Sequence, residues 1–428
     1  MTDELIALLG GREVGRMRRH KRGRITFAYD EAWRKFEDAY PLSLSMPLAA
    51  AEHGPDVVEA FLWGLLPDNE QVLERWARKF HVSARNVFAL LAHVGEDCAG
   101  AVQFVAPERL DAVLSGEADS VEWLDEKGIA ERLRMLREDH AAWRLPRDTG
   151  QFSLAGAQPK TALLYENGRW GIPSGRMPTT HILKPPTGQF GGHAENEHIC
   201  LALARAFGLP AASSQVLRFG DEIAIAVERY DRAHSGNDIL RVHQEDVCQA
   251  LGIPPGDKYQ NQGGPGVTEI VELLRTHSSA RDEDVRTFID AIGFNWLIAG
   301  TDAHAKNYSL LISSGPRVRL APLYDIASIL PYEQFDIHKV MLAMKIGGQY
   351  QLHDIGIRQW QKLAKETRIS VDELIEGLRT TAQRLPDEVS AICATAREEG
   401  LKQPVIDHLA AELAKRADAC RKTLTLTT

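Results

Sequence analysis

Residues 301–307 read TDAHAKN and residues 323–326 read LYDI, and the reading of these two stretches decides the rest. The first follows an apolar helix expected over residues 288–299 and gathers Asp302, His304, Lys306 and Asn307 into one short loop. The second brings Asp325 in after a hairpin with strands expected near 308–312 and 317–320. Phosphoryl transfer needs a carboxylate to orient and deprotonate a hydroxyl, and oxygen donors to hold magnesium against the phosphates. Magnesium prefers oxygen donors, typically one or two carboxylates with phosphate and water. In that chemistry Asp302 is the base, and Asn307 and Asp325 are metal ligands. The Asp-x-x-x-x-Asn spacing matches half of a kinase catalytic loop. The other half is missing: Gly300 and Thr301 stand where His and Arg would be, and Ile326-Ala327 replaces Phe-Gly. Taken alone, the match reads equally as a capped helix end with solvated polar residues. Asp302 and His304 are also a pair that zinc accepts, although no second His/carboxylate cluster of suitable spacing supports a metal hydrolase. Lys306 either places positive charge near the transferred phosphate or is simply solvated.

Further upstream, residues 153–160 read SLAGAQPK. The small residues Ala155, Gly156 and Ala157 let backbone N–H groups approach an anion, and Lys160 adds charge. Ser153, Gln158 and Lys160 join them as candidate phosphate contacts. The stretch is not a Walker A loop, which requires G-x-x-x-x-G-K-[ST], and its plain reading is a loop entering a strand. Lys184 ends the apolar strand HILK, where a buried lysine needs a charged partner or snorkels at the strand edge. Glu195 and Glu197, on the helix that follows, are both candidate partners. Residues 225–232, IAVERYDR, form a strand and its exit. Val227, Glu228, Arg229 and the adjoining Tyr230 are the candidate adenine contacts of a hinge, or an ordinary strand running into a charged turn.

Across 428 residues, 44% are hydrophobic and 25% charged, a globular composition. The balance of 50 basic against 59 acidic residues gives a net charge of −9, which excludes a globally basic nucleic-acid binder. One basic cluster, RMRRHKR at 16–22, reads as a solvated hairpin or a phosphate-backbone contact. Five scattered cysteines, none in a C-x-x-C pair, fit a reducing compartment. The opening MTDELIALLGG lacks the basic segment of a signal peptide. The longest apolar stretch, around 291–300, is too short to span a bilayer. A cytoplasmic protein without membrane contact is expected.

Alternation and turn residues predict paired strands at 13–17 and 24–29, an alternating segment at 42–48, a helical segment opening at 61–66 and a strand at 100–105. An acidic stretch then carries one helix over 129–136. Strands follow at 161–165, 169–172, 180–184, 214–219 and 223–228, with a helix at 195–207 closed by Gly208 and Pro210. Beyond Asp231 the pattern is mostly helical. The expected fold class is α+β and bilobal, and such interfaces commonly hold a ligand cleft. The expected divisions are an N-terminal subdomain at 1–106, a connecting segment at 107–148, a strand-rich lobe at 149–232 and a helical lobe at 233–428.

Taken in order, GAVQFV (100–105), SLAGAQPK (153–160), THILKPP (180–186), ENEHICLALA (195–204), VERYDR (227–232), HQEDVCQALG (243–252), NWLIAGTDAHAKNYSLL (295–311) and APLYDIAS (321–328) resemble the HipA family of bacterial toxin kinases. The resemblance implies a protein-kinase-like fold with an extra N-terminal subdomain. It implies Asp302 as catalytic base, Asn307 and Asp325 on Mg2+, and Lys184 on the phosphates of ATP. Lys160 and the Ser153 loop would lie near the γ-phosphate, with Ser153 as an autophosphorylation site. It also implies an aminoacyl-tRNA synthetase, notably the glutamyl enzyme, as substrate. A HipB-like helix-turn-helix antitoxin is the implied partner, with operator DNA contacted through it. A catalytically weak corepressor and a small-molecule kinase are the competing readings.

Overall fold

The strands ELIALL (Glu4–Leu9) and REVGRMRR (Arg12–Arg19) are joined by Gly10-Gly11, both at positive φ, and pair antiparallel with Leu5 opposite Met17. In the computed structural model, residues 3–143, 152–188, 190–236, 238–315 and 317–425 are described. Contacts divide the chain into two compact units. One comprises Met1–Pro185, Leu217–Gly256 and Ser309–Val318; the other comprises Pro186–Val216, Asp257–Tyr308 and Arg319–Thr428.

The first unit holds two sheets. One runs Glu52–His53, Ile25–Tyr29, Arg12–Arg19, Glu4–Leu9, Val102–Val105. Helices Pro55–Gly64, Glu70–Phe80 and Val87–Val94 supply Phe61, Trp76 and Phe88 to the core it shares. The expected strand pair at 13–17 and 24–29 is present, with Met17 opposite Phe27. The cluster at 16–22 is a hairpin edge whose arginines are ion-paired: Arg16 with Glu4 and Glu13, Arg18 with Glu4, Arg19 with Asp3. Residues 42–48 differ from expectation and form a tight turn bridged between Ser43 and Met46. Their polar groups bond outward instead. The Leu44 N–H goes to Glu245 Oε1 (2.7 Å), Ser45 Oγ to the Gln249 carbonyl (2.9 Å), and Leu42 O accepts from His243 Nε2 (2.9 Å). The helix expected to open near 61 starts earlier, at Pro55, where proline's fixed φ suits the first turn.

The second sheet is ordered Ser214–Phe219, Glu222–Glu228, His181–Lys184, Thr161–Glu166, Arg169–Ser174, Ser120–Leu124. Five of these strands match expectation. The sixth, SVEWL, lies in the acidic stretch and pairs with Arg169–Ser174 in register Ser120 to Ser174. Helix Glu126–Glu138 packs Ile129 and Leu133 against Leu163, Trp170 and Leu183. The hairpin Arg232–Ser235/Asp238–Arg241 and the strand His243–Asp246, paired with Ser309–Ser313, replace expected helix. They are four-residue runs, RAHS and HQED wholly without an apolar alternation, whose pairing comes from tertiary partners.

The second unit is mainly helical: His193–Ala206, Val267–His277, Arg281–Ile298, Ile357–Glu366, Val371–Glu398 and Pro404–Thr425. Trp296 and Trp360 meet edge to face at 5.4 Å inside it. A hairpin, Met341–Ile346 with Gln349–Gln351, interrupts the helices. No helix among the described residues is long and apolar enough to cross a membrane.

Candidate active site

In the second unit, helix Arg281–Ile298 ends where Ala299 turns left-handed (φ 54°) and the Gly300 N–H bonds to Asn295 O at 2.8 Å. A Cβ at Gly300 would lie 2.3 Å from Asn295 Oδ1, so any larger residue there must displace the Asn295 side chain. The chain then folds back on Asp302, whose carbonyl accepts the His304 N–H (2.8 Å) and Asn307 Nδ2 (2.7 Å). The nitrogen of the Asn307 amide is thereby used, and its oxygen remains as a donor for a cation. The Asp302 carboxylate is exposed, and its Oδ1 accepts the Tyr259 hydroxyl at 2.7 Å.

His304 is buried, with Tyr259 edge-on to its ring at 4.9 Å. Burial lowers its pKa, as does the Lys258 ammonium, against the opposing pull of the Asp302 and Asp325 carboxylates. A neutral imidazole packed on tyrosine follows. Lys306 is buried too, and its carbonyl accepts the Tyr324 hydroxyl at 2.7 Å. Asp325, next in chain, sits at φ 58°, a conformation aspartate tolerates better than most residues. Its segment is anchored on both sides. Leu323 exchanges backbone bonds with Pro210 O and Ala212 N, each 2.8 Å. Ser328 gives its N–H to Asn196 Oδ1 (3.1 Å) and takes Asn196 Nδ2 on its carbonyl (2.7 Å). Ser328 Oγ also donates to Ile298 O (2.6 Å), the last residue of the helix that leads into the Asp302 loop. Among the described residues no group of three or more His, Cys, Asp or Glu side chains could hold a metal, so the hydrolase set Asp302, His304 and Asp325 is not assembled. Glu195 and Glu197 are both buried on the first turns of helix His193–Ala206.

The first unit carries the other candidates. Ser153 is fully buried; its Oγ donates to Leu65 O (2.7 Å) and its N–H to Asp97 O (2.9 Å). Phe152 and Leu154 flank it in the apolar core. The loop continues through Ala155 to Gly156 at φ 101°, where the Asp68 N–H bonds to Gly156 O (3.0 Å). Lys160 Nζ caps the Ala155 carbonyl at 2.7 Å and lies 5.4 Å from the Trp143 ring. Ala157 is exposed and Gln158 half-buried at the tip. Lys184 is buried at the end of its strand, opposite Ile225.

Val227 is buried and Glu228 exposed on the neighbouring strand. Arg229, expected as an adenine contact, has other commitments: its N–H goes to Thr180 O (2.9 Å). Its guanidinium bonds Asp231 (2.8 Å), Thr179 Oγ1 (2.8 Å) and Cys98 O (2.8 Å). Arg232 and Arg241 complete this buried network by binding Asp97 at 2.9 and 3.1 Å. Burial alone would raise the Asp97 carboxyl; the guanidiniums of Arg232, Arg241 and Arg229 hold it well below the usual range instead. Burial and the nearby Arg229 cation lower Arg232 to about 10. Tyr230 donates its hydroxyl to Gln244. Sequence reasoning missed Tyr259, Asn196 and the Asp97 network, because each works through partners far along the chain.

These features define an α+β fold with a kinase-like loop at 301–307 and an additional strand-rich N-terminal part. The family model for the HipA-like C-terminal domain matches residues 152–393, and that for the HipA N-terminal domain matches residues 5–105. Y4mE of Sinorhizobium fredii is 36% identical over 420 residues, covering 96% of this chain and 97% of its own. The serine/threonine-protein kinase toxin HipA of Shewanella oneidensis is 30% identical over 387 residues, covering 86% and 84%. A solved structure of the S. oneidensis MR-1 system, titled as HipA, HipB and operator DNA, superposes with a TM-score of 0.83 at 25% identity over 98% of each chain. The chain belongs to the HipA family, as its motifs implied, and kinase action makes ATP its expected co-substrate.

Proposed function

We propose that this chain is the toxin kinase of a type II toxin–antitoxin system. It phosphorylates an aminoacyl-tRNA synthetase of the glutamyl type, and itself on Ser153, using Mg·ATP. The observation that carries this reading is the 301–307 loop, where the Asn307 amide is tied to the Asp302 backbone and the Asp302 carboxylate is exposed. Asp302 accepts the proton of the attacking hydroxyl, and Lys306 and Lys160 place positive charge near the transferred group. Lys184 serves the phosphates. The backbone at Val227 and Glu228 serves adenine, with Arg229 and Tyr230 supporting that hinge from behind. His304 packs the loop as a neutral ring.

The donor chemistry fits magnesium: the amide oxygen of Asn307 and the carboxylate of Asp325 are hard oxygen ligands. When bound, the ion supplies neutralisation of phosphate charge. Ser153, with its hydroxyl buried against Leu65, is reached only when its loop leaves this position. A phosphate adds about −1.5 to −2 charges, which cannot return to a buried slot without partners, so the modified loop stays out and the kinase is off.

A HipB-like helix-turn-helix antitoxin is the proposed partner, since the S. oneidensis structure is titled as HipA with HipB and operator DNA. Operator DNA is contacted through that antitoxin; the ion-paired arginines at 16–19 favour this indirect route. The proposed location is the cytoplasm. The test is transfer of labelled phosphate from Mg·ATP by wild type, Asp302→Gln and Asp325→Gln, with Ser153 mapped by mass spectrometry. Labelling of Ser153 by wild type alone is the expected result. Wild type that binds ATP yet labels neither itself nor a cell lysate points to a corepressor without kinase action.

A further inference from the structure

The loop Asp257–Gly266 lies outside every motif that carries the family resemblance, yet it delivers a side chain to the reacting carboxylate. We infer that Tyr259 is the positioning residue of Asp302, fixing which carboxylate oxygen faces the incoming hydroxyl. This rests on the reading of Asp302 as the base.

The geometry supports that role in three ways. First, the Tyr259 hydroxyl donates to Asp302 Oδ1 at 2.7 Å, and Asp302 is otherwise an exposed side chain on a short loop. Second, the tyrosine ring is itself held. His304 lies edge-on at 4.9 Å, and Lys258 Nζ stands 5.6 Å from the ring centroid. Third, the loop is tied at both ends and along its length. Lys258 O accepts the Ala305 N–H (3.3 Å), and Tyr259 O accepts those of Gln262 and Gly264 (3.0 Å each). Gln260 Oε1 accepts the Lys345 N–H at 2.7 Å, which connects the loop to the hairpin at Met341–Ile346.

A carboxylate with one oxygen bound by a rigid phenol loses rotation about Cβ–Cγ and presents the other oxygen in a fixed direction. That oxygen takes the hydroxyl proton while the substrate oxygen bonds to the γ-phosphorus and the bond to the departing ADP oxygen breaks.

The experiment is kcat and KM for ATP of Tyr259→Phe in autokinase and lysate kinase assays, beside Asp302→Asn and thermal melting of each. Phenylalanine keeps the ring on His304 and removes only the hydroxyl. The expected result is a ten- to hundredfold fall in kcat, with KM for ATP within twofold of wild type and an unchanged melting temperature. An inactive Asp302→Asn beside a Tyr259→Phe enzyme with wild-type kcat overturns the inference alone. A fall in kcat matched by a rise in KM for ATP or by a lowered melting temperature also overturns it, leaving Tyr259 a loop support. Retained activity in Asp302→Asn overturns instead the reading of Asp302 as base.

Discussion

At Glu245 the side chain is 1% exposed, and one carboxyl oxygen accepts the Leu44 N–H at 2.7 Å. Burial pushes this carboxyl up to about 8, against the pull of the Leu44 and Ser43 hydrogen bonds. The group is therefore protonated in the folded protein at neutral pH and ionised in the unfolded chain. A folded-state pKa above the unfolded one means that stability is fully present below about pH 4.5 and falls as pH rises toward 8. Glu245→Gln keeps an acceptor for Leu44 and cannot ionise. Its advantage over wild type should grow between pH 5 and pH 9 to on the order of a few kcal/mol, read from urea unfolding at each pH. A constant difference across that range would show that Glu245 does not titrate there. Ser153 and Arg229 teach a related lesson at the same scale. Their places in SLAGAQPK and VERYDR marked them as candidate nucleotide contacts, while their burial and bonds show what each does for the fold in this conformation.

Among elements, the segment carrying Asp325 depends on a side chain more than a hundred residues away. Asn196, on helix His193–Ala206, bonds both backbone groups of buried Ser328. Asn196→Ala leaves that N–H and carbonyl unpaired, at a cost of about 1–3 kcal/mol. Denaturant unfolding should show this loss. Kinase turnover should fall at least tenfold, since Asp325 would no longer be held at its left-handed φ. Full turnover in a destabilised Asn196→Ala would separate the Asn196 tie from catalysis. The 301–307 loop was legible in sequence because its chemistry is contiguous: Asp302, Lys306 and Asn307 fall within six residues, behind a recognisable apolar helix. Asn196 and Tyr259 were not, because a helical asparagine and a loop tyrosine are ordinary until their partners are known. Strands such as HQED and RAHS were illegible for a similar reason, being short and polar with no period-2 apolar pattern to read.

For the whole molecule, the N-terminal part does not close a core of its own. A single apolar cluster runs from Leu5, Phe27, Trp76 and Phe104 into Trp143, Phe152, Leu154 and Ala162. The buried Asp97–Arg229–Asp231–Arg232 network crosses the same seam. Removing residues 1–106 would bare those side chains, at about 1.5–3 kcal/mol for each large apolar group. It would also leave Arg229 and Arg232 without Asp97. Residues 107–428 expressed alone should aggregate, and co-expression of 1–106 as a separate chain should restore soluble, ATP-binding protein; soluble yield and gel filtration check both. A monomeric, active 107–428 would show that the seam is dispensable. The sequence by itself determined the α+β class, the order of most strands and helices, and the family. Each of these is written in local periodicity, turn residues or contiguous motifs. Only the tertiary structure decided that Ser153 is stowed against Leu65, that Arg229 is clamped to Asp231, that Tyr259 bonds Asp302, and that Asn196 ties Ser328, three residues beyond Asp325. The reason is that hydrogen bonds and burial between residues distant in the chain follow from packing, which no local window of sequence encodes.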